Sequence, residues 1–263
     1  MDNTQKELIN LTNLPLANLP EDTGAVFGAA ESIKSMLMKY SCAIREVKTK
    51  LEVLSDEFSA QNQRNPIEFI TSRVKTPKSI MQKLHRRGLP VTMESAQENL
   101  FDIAGVRVIC SFVDDIYSVA GMLIDQDDVE LVKTKDYIKN PKPNGYRSLH
   151  LIIRIPVFFS DGKRKMPVEV QIRTIAMDFW ASLEHDLKYK KVVPNVEDVQ
   201  RELKDCADTI ADTDMRMMKL RDEIDRMKVE EEMKFTSDGS AGKHEDLAEG
   251  REGGGKEQYV VEI

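Results

Sequence analysis

The 263-residue chain is 41% hydrophobic and 32% charged, which indicates a folded globular protein and excludes a chain that is disordered throughout. No apolar run approaches the ~20 residues of a membrane span, and the N-terminus lacks the basic and then apolar pattern of a signal peptide. The three cysteines are too few and too far apart to indicate a disulfide framework or a zinc cluster, so we expect a cytoplasmic protein.

The net charge of −7 is unevenly distributed along the chain. Residues 195–263 hold 20 acidic and 11 basic side chains, whereas residues 1–194 hold 25 acidic and 27 basic ones. Within the first part, residues 71–88 contain six Lys and Arg residues and no carboxylate. An acidic protein with one undiluted basic stretch is suited to a compact polyanion, and we expect neither a DNA nor a membrane partner.

The chain before the basic stretch predicts a flexible arm over residues 1–24 and N-terminal helices over 25–64, with separate periodicities at 25–39 and 44–61. Asn65-Pro66 ends the second of these helices.

Residues 65–190 predict an α+β domain with a mixed sheet of about five strands flanked by helices. The pattern at 106–112 is apolar enough for a strand buried on both faces. Thr76-Pro77 is a good start for a helix that Gly88 ends. The predicted strands lie at 67–74, 106–112, 129–137, 147–157 and 166–173, and the predicted helices at 77–87, 114–124 and 175–190.

The last part of the chain predicts a helical extension over 191–235 and a disordered acidic tail over 236–263. Heptad-like spacing from 196 to 234 fits either a helical pair packing on the domain or an oligomer interface.

The strand at 168–174 alternates apolar side chains with Glu169, Gln171 and Arg173. An acid, an amide and a guanidinium on one strand face would suit a charged ligand, although a solvated face explains such a pattern more often.

In the basic stretch, Arg73 and Lys75 share one face of a strand, and Ser79, Lys83 and Arg86 share one face of the following helix. Such an arrangement would form a cradle for several phosphates, whereas a solvated charged face is the alternative.

Asp102 precedes the apolar strand that contains Arg107, and this arginine would be costly there unless it is paired or faces a ligand. In the following loop, Lys142 supplies a cation and Tyr146 an aromatic face on which a base could stack. Turn packing for Tyr146 and a structural role for His150 are the alternatives.

Together these signals indicate phosphoryl-type transfer between two nucleotides. Asp102 and Glu169, on neighbouring predicted strands, could share a Mg²⁺ ion, which prefers hard oxygen ligands. Catalysis of this kind depends mostly on positioning and charge neutralisation.

Five segments in this order resemble the synthetase domain of the RelA/SpoT family of (p)ppGpp synthetases, over residues 65–190. The size of the chain and its helical flanks are similar to those of stand-alone small alarmone synthetases. The family's fold is nucleotidyltransferase-like. The segments begin at Arg73-Val-Lys75, Asp102-Ile-Ala-Gly105, Gly145-Tyr146-Arg147, Glu169-Val-Gln171 and Trp180.

The resemblance implies transfer of the β,γ-pyrophosphate of ATP to the 3′-OH of GDP or GTP, with release of AMP. It implies Asp102 and Glu169 as the magnesium pair, with Glu169 also the base for the 3′-OH. The other implied roles are adenine binding by Arg73 and Arg107, ATP-phosphate binding by Lys75, Ser79, Lys83 and Arg86, and acceptor binding by Tyr146, Lys142, His150 and Gln171.

The family's hydrolase domain needs further His and Asp ligands that the four histidines do not match, so the resemblance implies synthesis without hydrolysis. It also implies a homotetramer, and (p)ppGpp or single-stranded RNA as a regulator, with Phe69 in the cleft that binds (p)ppGpp in some relatives. Asp178 stands where those relatives usually have Asn, and its carboxylate would repel a polyphosphate.

Two rival functions follow from the same residues. One is pyrophosphorylation of the 3′ end of tRNA, which would need an extra basic surface. The other is a nucleotide- or RNA-binding regulator without catalysis, which would not need both carboxylates and Lys83.

Overall fold

The computed structural model describes residues 23–61, 64–190 and 196–241. Its centre is one five-stranded sheet with the strand order β1-β2-β5-β4-β3. Neighbouring β2 and β5 run parallel, and all other neighbours run antiparallel. This mixed sheet confirms the expected α+β fold. The strands are β1 (Ile67–Val74), β2 (Ala104–Cys110), β3 (Glu130–Asp136), β4 (Leu149–Phe159) and β5 (Gly162–Thr174).

The described residues form six helices besides the sheet, and the chain divides into two compact units after Met218. The sheet and the first five helices belong to the first unit. Within the described ranges, no helix combines the length and apolar character needed to cross a bilayer. The helices are α1 (Thr23–Ala60), α2 (Pro77–Arg86), α3 (Met93–Asn99), α4 (Val113–Ile124), α5 (Ile175–Lys190) and α6 (Val196–Ala241).

The expectation of two N-terminal helices was wrong, because α1 is continuous. Tyr40 and Ala43 lie where the two periodicities were separated, and both side chains are buried in the core together with Val47. Tertiary packing overrides local propensity, so their burial keeps the chain helical through Tyr40, Ser41 and Cys42, which are weak helix formers.

Three further boundaries differ from the sequence prediction. Helix α3 was not predicted, although Thr92 caps it by accepting a hydrogen bond from the Ser95 backbone N–H at 3.1 Å. The region after 195 is one helix rather than a pair, and it extends six residues into the predicted tail. The remainder of that tail, like the arm at 1–22, lies outside the described residues.

The alternation predicted for β5 is confirmed and gives the sheet a polar face. Val168, Val170 and Ile172 are fully buried in the core, whereas Glu169 and Gln171 on the other face are half-buried. This core continues into α1 and α4.

The parallel pairing of β2 and β5 places two predicted segments side by side. Gly105 lies opposite Glu169, and Arg107 lies opposite Gln171. Strand β2 was expected to be buried on both faces, but Arg107 is only half-buried on the polar face. The polar positions of the two strands therefore share one surface.

Helix α2 follows its sequence signals closely. Thr76 caps its start by accepting a hydrogen bond from the Ser79 backbone N–H, and Gly88 ends it with a φ of +67°. Ile80 and Leu84 are buried, which anchors the helix and turns Lys83 towards Asp102, just before the start of β2.

Candidate active site

Two cavities meet at the carboxylates of Asp102 and Glu169. The Arg107 cavity has a volume of about 180 Å³, and the Lys133 cavity has a volume of about 260 Å³. Asp102 and Glu169 line both of them. The other polar lining residues include Arg73, Lys75, Arg107 and Gln171 in the first cavity, and Lys83, Arg87, Lys133 and Lys135 in the second.

Asp102 is the centre of a cluster of cations. One carboxylate oxygen, Oδ2, accepts hydrogen bonds from Lys75 Nζ at 2.5 Å and from Lys83 Nζ. Burial alone would raise the pKa of Asp102, but the hydrogen bonds and charges of the two lysines hold it below its ordinary value. Burial also lowers the pKa of Lys83, against the effect of Asp102. The carboxylate is therefore ionised near neutral pH.

The second oxygen of Asp102, Oδ1, is buried and has no hydrogen-bond partner among the described residues. A buried carboxylate oxygen without a partner is costly, so a ligand-binding role for this atom is favoured. The described residues contain no group of three or more His, Cys, Asp or Glu side chains that could hold a metal. Any metal held here would take only two protein carboxylates.

Glu169 is held from two sides. Its Oε1 lies 3.4 Å from His150 Nδ1, and its Oε2 accepts a hydrogen bond from Gln171 Nε2 at 2.9 Å. Burial would raise the pKa of Glu169, but the contacts with His150 and Gln171 lower it below its ordinary value. Glu169 is therefore an ionised carboxylate that can accept a proton.

His150 connects Glu169 to Tyr146. Burial lowers the pKa of His150, which favours the neutral ring at pH 7. Because the Glu169 carboxylate only accepts, the ring hydrogen belongs on Nδ1, and Nε2 then accepts from the Tyr146 hydroxyl at 2.8 Å. His150 is thus both satisfied within the structure and part of the polar site.

Arg173 extends this chain to the far end of β5. It is 5% exposed at its side chain, and its Nη2 donates to Tyr146 Oη at 2.5 Å and to Gln171 Oε1 at 3.0 Å. Its Nη1 donates to Asp178 Oδ1 at 3.0 Å. Arg173 was predicted to lie on the polar face of this strand, but no role was predicted for it.

Arg107 combines the two roles that the sequence left open. Its Nη1 lies 3.1 Å from Asp178 Oδ1, so the arginine is ion-paired, and it also lines the Arg107 cavity. Its Nε atom is buried without a hydrogen-bond partner among the described residues. The ion pair offsets part of the cost of a half-buried guanidinium.

Aromatic rings and a cation surround Tyr146. The Lys142 Nζ atom lies 4.4 Å from the Tyr146 ring centroid and 4.7 Å from that of Tyr137. The two tyrosine rings meet edge to face at 5.9 Å. Burial lowers the pKa of Lys142, and the nearby charge of Lys135 contributes to this shift. Tyr137 and Lys135 were missed by sequence analysis, although Lys133 and Lys135 alternate on one face of β3.

The loop that carries Tyr146 is fixed by two helices. Asn144 donates to Glu184 of α5 at 3.0 Å, and Arg147 donates to the Ala207 carbonyl and to Asp208 of α6, both at 3.1 Å. Gly145 has a φ of +88°, and a Cβ atom added there would lie 2.5 Å from the Cβ of Ala207.

The predicted phosphate cradle on α2 is only partly assembled. Lys83 lines the Lys133 cavity, while Ser79 accepts a hydrogen bond from the Thr76 hydroxyl at 3.0 Å. Arg86 is exposed and lines neither cavity, whereas Arg87 lines the Lys133 cavity. The spacing of Lys83 and Arg87 is one full turn plus a fraction, which keeps both on one side of the helix.

The sequence and fold of this region match known proteins. Residues 72–193 match the model of the region found in RelA/SpoT proteins. The chain is 45% identical to GTP pyrophosphokinase YwaC of Bacillus subtilis over 195 residues, which is 74% of this chain and 93% of that protein.

Two solved structures of small alarmone synthetase 1 from Bacillus subtilis share the fold. The one bound to its product pppGpp has a TM-score of 0.69 and 37% identity, and covers 74% of this chain and 98% of that one. The one bound to AMPCPP has a TM-score of 0.63 and 33% identity, with the same coverage. The expected family is thereby confirmed, and the chain belongs to the RelA/SpoT family.

Proposed function

We propose that this protein transfers the β,γ-pyrophosphate of ATP to the 3′-OH of GDP or GTP and releases AMP. The observation that carries this proposal is the pair Asp102 and Glu169, shared by two cavities whose other charged lining residues are all Lys or Arg. The names of the relatives agree, since one is a GTP pyrophosphokinase and another binds pppGpp as its product.

The donor side consists of Arg73, Lys75, Lys83 and Arg107 around Asp102. Arg73 and Arg107 flank the adenine, since guanidinium groups stack on aromatic faces. Lys75, Lys83 and Arg87, which line the two cavities, bind the phosphates. AMPCPP, bound by a relative, carries a methylene group in place of the α,β-bridging oxygen at which this reaction breaks ATP.

The carboxylates of Asp102 and Glu169 fit a Mg²⁺ ion. The buried, unpartnered Oδ1 of Asp102 is a hard oxygen ligand, and Mg²⁺ is commonly held by one or two carboxylates together with substrate phosphates. When bound, the ion neutralises developing charge on the transferred phosphates. Lys75 and Lys83 orient the same carboxylate from its other oxygen.

The acceptor side consists of Tyr146, His150, Gln171 and Arg173. Tyr146 stacks on the guanine, Lys142 and His150 lie near the acceptor's phosphates, and Gln171 lies beside the acceptor site. Glu169 takes the proton of the 3′-OH while the 3′-oxygen bonds to the β-phosphorus and the α,β-bridging oxygen leaves with AMP. A lowered pKa keeps Glu169 ionised, and its weak basicity is compensated by proximity.

The proposal is tested by incubating the protein with ATP, Mg²⁺ and GDP and measuring AMP and 3′-pyrophosphorylated guanosine nucleotide by ion-exchange chromatography. Parallel reactions with GTP and with tRNA as acceptors separate this activity from tRNA pyrophosphorylation. Equal amounts of AMP and of the guanosine product are expected, with none in EDTA. Absence of both products would contradict the proposal.

We further propose that the protein assembles with copies of itself through α5. Phe179, Leu183 and Leu187 are spaced by four residues on this helix and are between 47% and 59% exposed. An apolar stripe of this kind is more typical of an interface than of a solvated face. A tetramer by light scattering is expected, and Phe179→Glu should dissociate it. A wild-type monomer at micromolar concentration would contradict the proposal.

A further inference from the structure

The carboxylate of Asp178 lies between the two sides of the site. A single oxygen, Oδ1, accepts a hydrogen bond from Arg173 Nη1 at 3.0 Å and lies 3.1 Å from Arg107 Nη1 in an ion pair. Asp178 is the fourth residue of α5, and its side chain is 18% exposed. Helix α5 begins directly after β5, so the strand and the helix together fix the position of Asp178.

This carboxylate separates charges that would otherwise repel each other. Burial lowers the pKa of Arg107, and the positive charges of Arg173 and Arg73 lower it further, while Asp178 opposes that shift. Two half-buried or buried guanidinium groups sharing one carboxylate oxygen therefore depend on it for their common position.

From Asp178 the contacts continue without a break to the catalytic carboxylate. Arg173 donates to Tyr146 Oη, whose hydroxyl meets His150, and His150 lies 3.4 Å from Glu169. The donor-side Arg107 and the acceptor-side Tyr146 are thus connected through Asp178.

We propose that Asp178 is a positioning residue that couples nucleotide binding on the donor side to nucleotide binding on the acceptor side. This inference rests on the proposed function for the assignment of the two sides. A nucleotide that orders Arg107 also orders Asp178 and Arg173, and hence the Tyr146 ring. The protein then loses less conformational freedom when the second nucleotide binds, which gives positive cooperativity.

The test is calorimetric titration of AMPCPP with Mg²⁺, with and without saturating GDP, which measures binding without turnover. The ratio of the two dissociation constants is the coupling factor. In the wild type, GDP should tighten AMPCPP binding by about 5-fold or more, the lower end of typical allosteric coupling. In Asp178→Asn, which keeps the shape and removes the charge, the factor should fall to about twofold or less.

Asp161→Asn is the matched control, because Asp161 forms an exposed ion pair with Arg164 away from both cavities. It should keep the wild-type factor. A purely structural role of Asp178 would lower both AMPCPP affinities together and leave their ratio unchanged. If Asp178→Asn does not fold, Asp178→Glu keeps the charge but displaces the carboxylate, and its factor should also fall below the wild-type value.

A wild-type factor within about twofold of one, or an unchanged factor in either Asp178 variant, would overturn the inference. The product assay with ATP and GDP is run on the same wild-type sample. If that sample forms product while the variants keep their coupling, the inference fails and the proposed function stands. If the wild type forms no product, the proposed function fails regardless of the coupling.

Discussion

On the donor side, cations converge on the single carboxylate of Asp102, whereas on the acceptor side Arg173, Tyr146, His150 and Glu169 form a chain of directed contacts. The donor side therefore depends mainly on charge, which acts at a distance and tolerates small displacements. The acceptor side depends on geometry, because hydrogen bonds weaken steeply with distance and angle. Substitutions that remove charge should therefore impair the donor side most. Substitutions that displace atoms should impair the acceptor side most.

The largest effect is expected for Asp102→Asn. This change keeps the shape of the side chain but removes the charge that holds Lys75 and Lys83. We expect a fall in kcat of about 10³-fold, corresponding to the several kcal/mol that a metal-assisted charge contributes. Initial rates of AMP formation over a range of Mg²⁺ concentrations measure it, with Asp161→Asn as the control. A fall of less than tenfold would mean that Asp102 is not central to the donor side.

Tyr146 separates stacking from hydrogen bonding on the acceptor side. Tyr146→Ala removes the ring, so KM for GDP should rise by about 5- to 150-fold, the equivalent of 1–3 kcal/mol for one stacked base. Tyr146→Phe keeps the ring but removes the hydroxyl between Arg173 and His150. It should leave that KM nearly unchanged and lower kcat by about fivefold, the equivalent of one hydrogen bond. Steady-state kinetics with GDP as the varied substrate distinguish the two, and equal effects of both variants on KM would disprove stacking.

Gly145→Ala should disturb the acceptor side more than the donor side. The new Cβ would lie 2.5 Å from Ala207 and the φ of +88° would be strained, so we expect the unfolding free energy to fall by about 1–3 kcal/mol. KM for GDP should rise by a larger factor than KM for ATP. Urea unfolding and steady-state kinetics measure both effects.

Gly88→Ala is the matched control for Gly145→Ala, because Gly88 has a similar φ of +67° but open space around the added atom. Gly88→Ala should lower the unfolding free energy through backbone strain, but it should not raise KM for GDP. In Gly145→Ala, a rise in KM for ATP as large as the rise in KM for GDP would contradict the distinction between the two sides.

The smallest effect concerns Asp214, which anchors α6 by accepting from the Thr174 hydroxyl at 2.6 Å. Burial raises the pKa of Asp214 in the native state, although Thr174 and Arg147 oppose this. The native state then binds a proton more tightly than the unfolded state, so this stabilisation is complete below pH ~4 and is lost as the pH rises through the native pKa.

Asp214→Asn should remove this part of the pH dependence, whose slope is at most about 1.4 kcal/mol per pH unit. The variant should be more stable than the wild type at pH 7 and no more stable below pH 4. Urea unfolding at several pH values measures this, and a lower stability of the variant at pH 7 would contradict it. Activity should change little, because α6 acts on the acceptor loop only through contacts such as that of Arg147.

The sheet and the polar face of β5 could be predicted because both arise from local alternation and turn residues. The pairing of β2 with β5 was harder to predict from the sequence. The register that sets Glu169 opposite Gly105 depends on the packing of the whole sheet. The continuity of α1 was missed because Tyr40 and Ala43 are held helical by core contacts distant in sequence.

Among the site residues, the sequence identified those whose type alone indicates chemistry, such as the two carboxylates and the basic stretch. It did not identify Asp178 as a partner of Arg107, because that contact joins β2 to α5 across 71 positions. Arg87 was missed in favour of Arg86, since one residue on a helix changes the direction of a side chain by about 100°. Lys133 and Lys135 were missed because their strand also carries Glu130 and Asp136, so its charges resemble an ordinary solvated face.

The central claim is that Glu169 accepts the proton of the acceptor hydroxyl at the point where both sides meet. The most direct test is Glu169→Gln, with product formation from ATP and GDP measured beside calorimetric binding of AMPCPP. We predict a fall in kcat of about 10²- to 10⁴-fold, typical for the loss of a general base, with AMPCPP binding changed by no more than about threefold. A rate within tenfold of the wild type, or a loss of rate matched by an equal loss of AMPCPP binding, would contradict the claim.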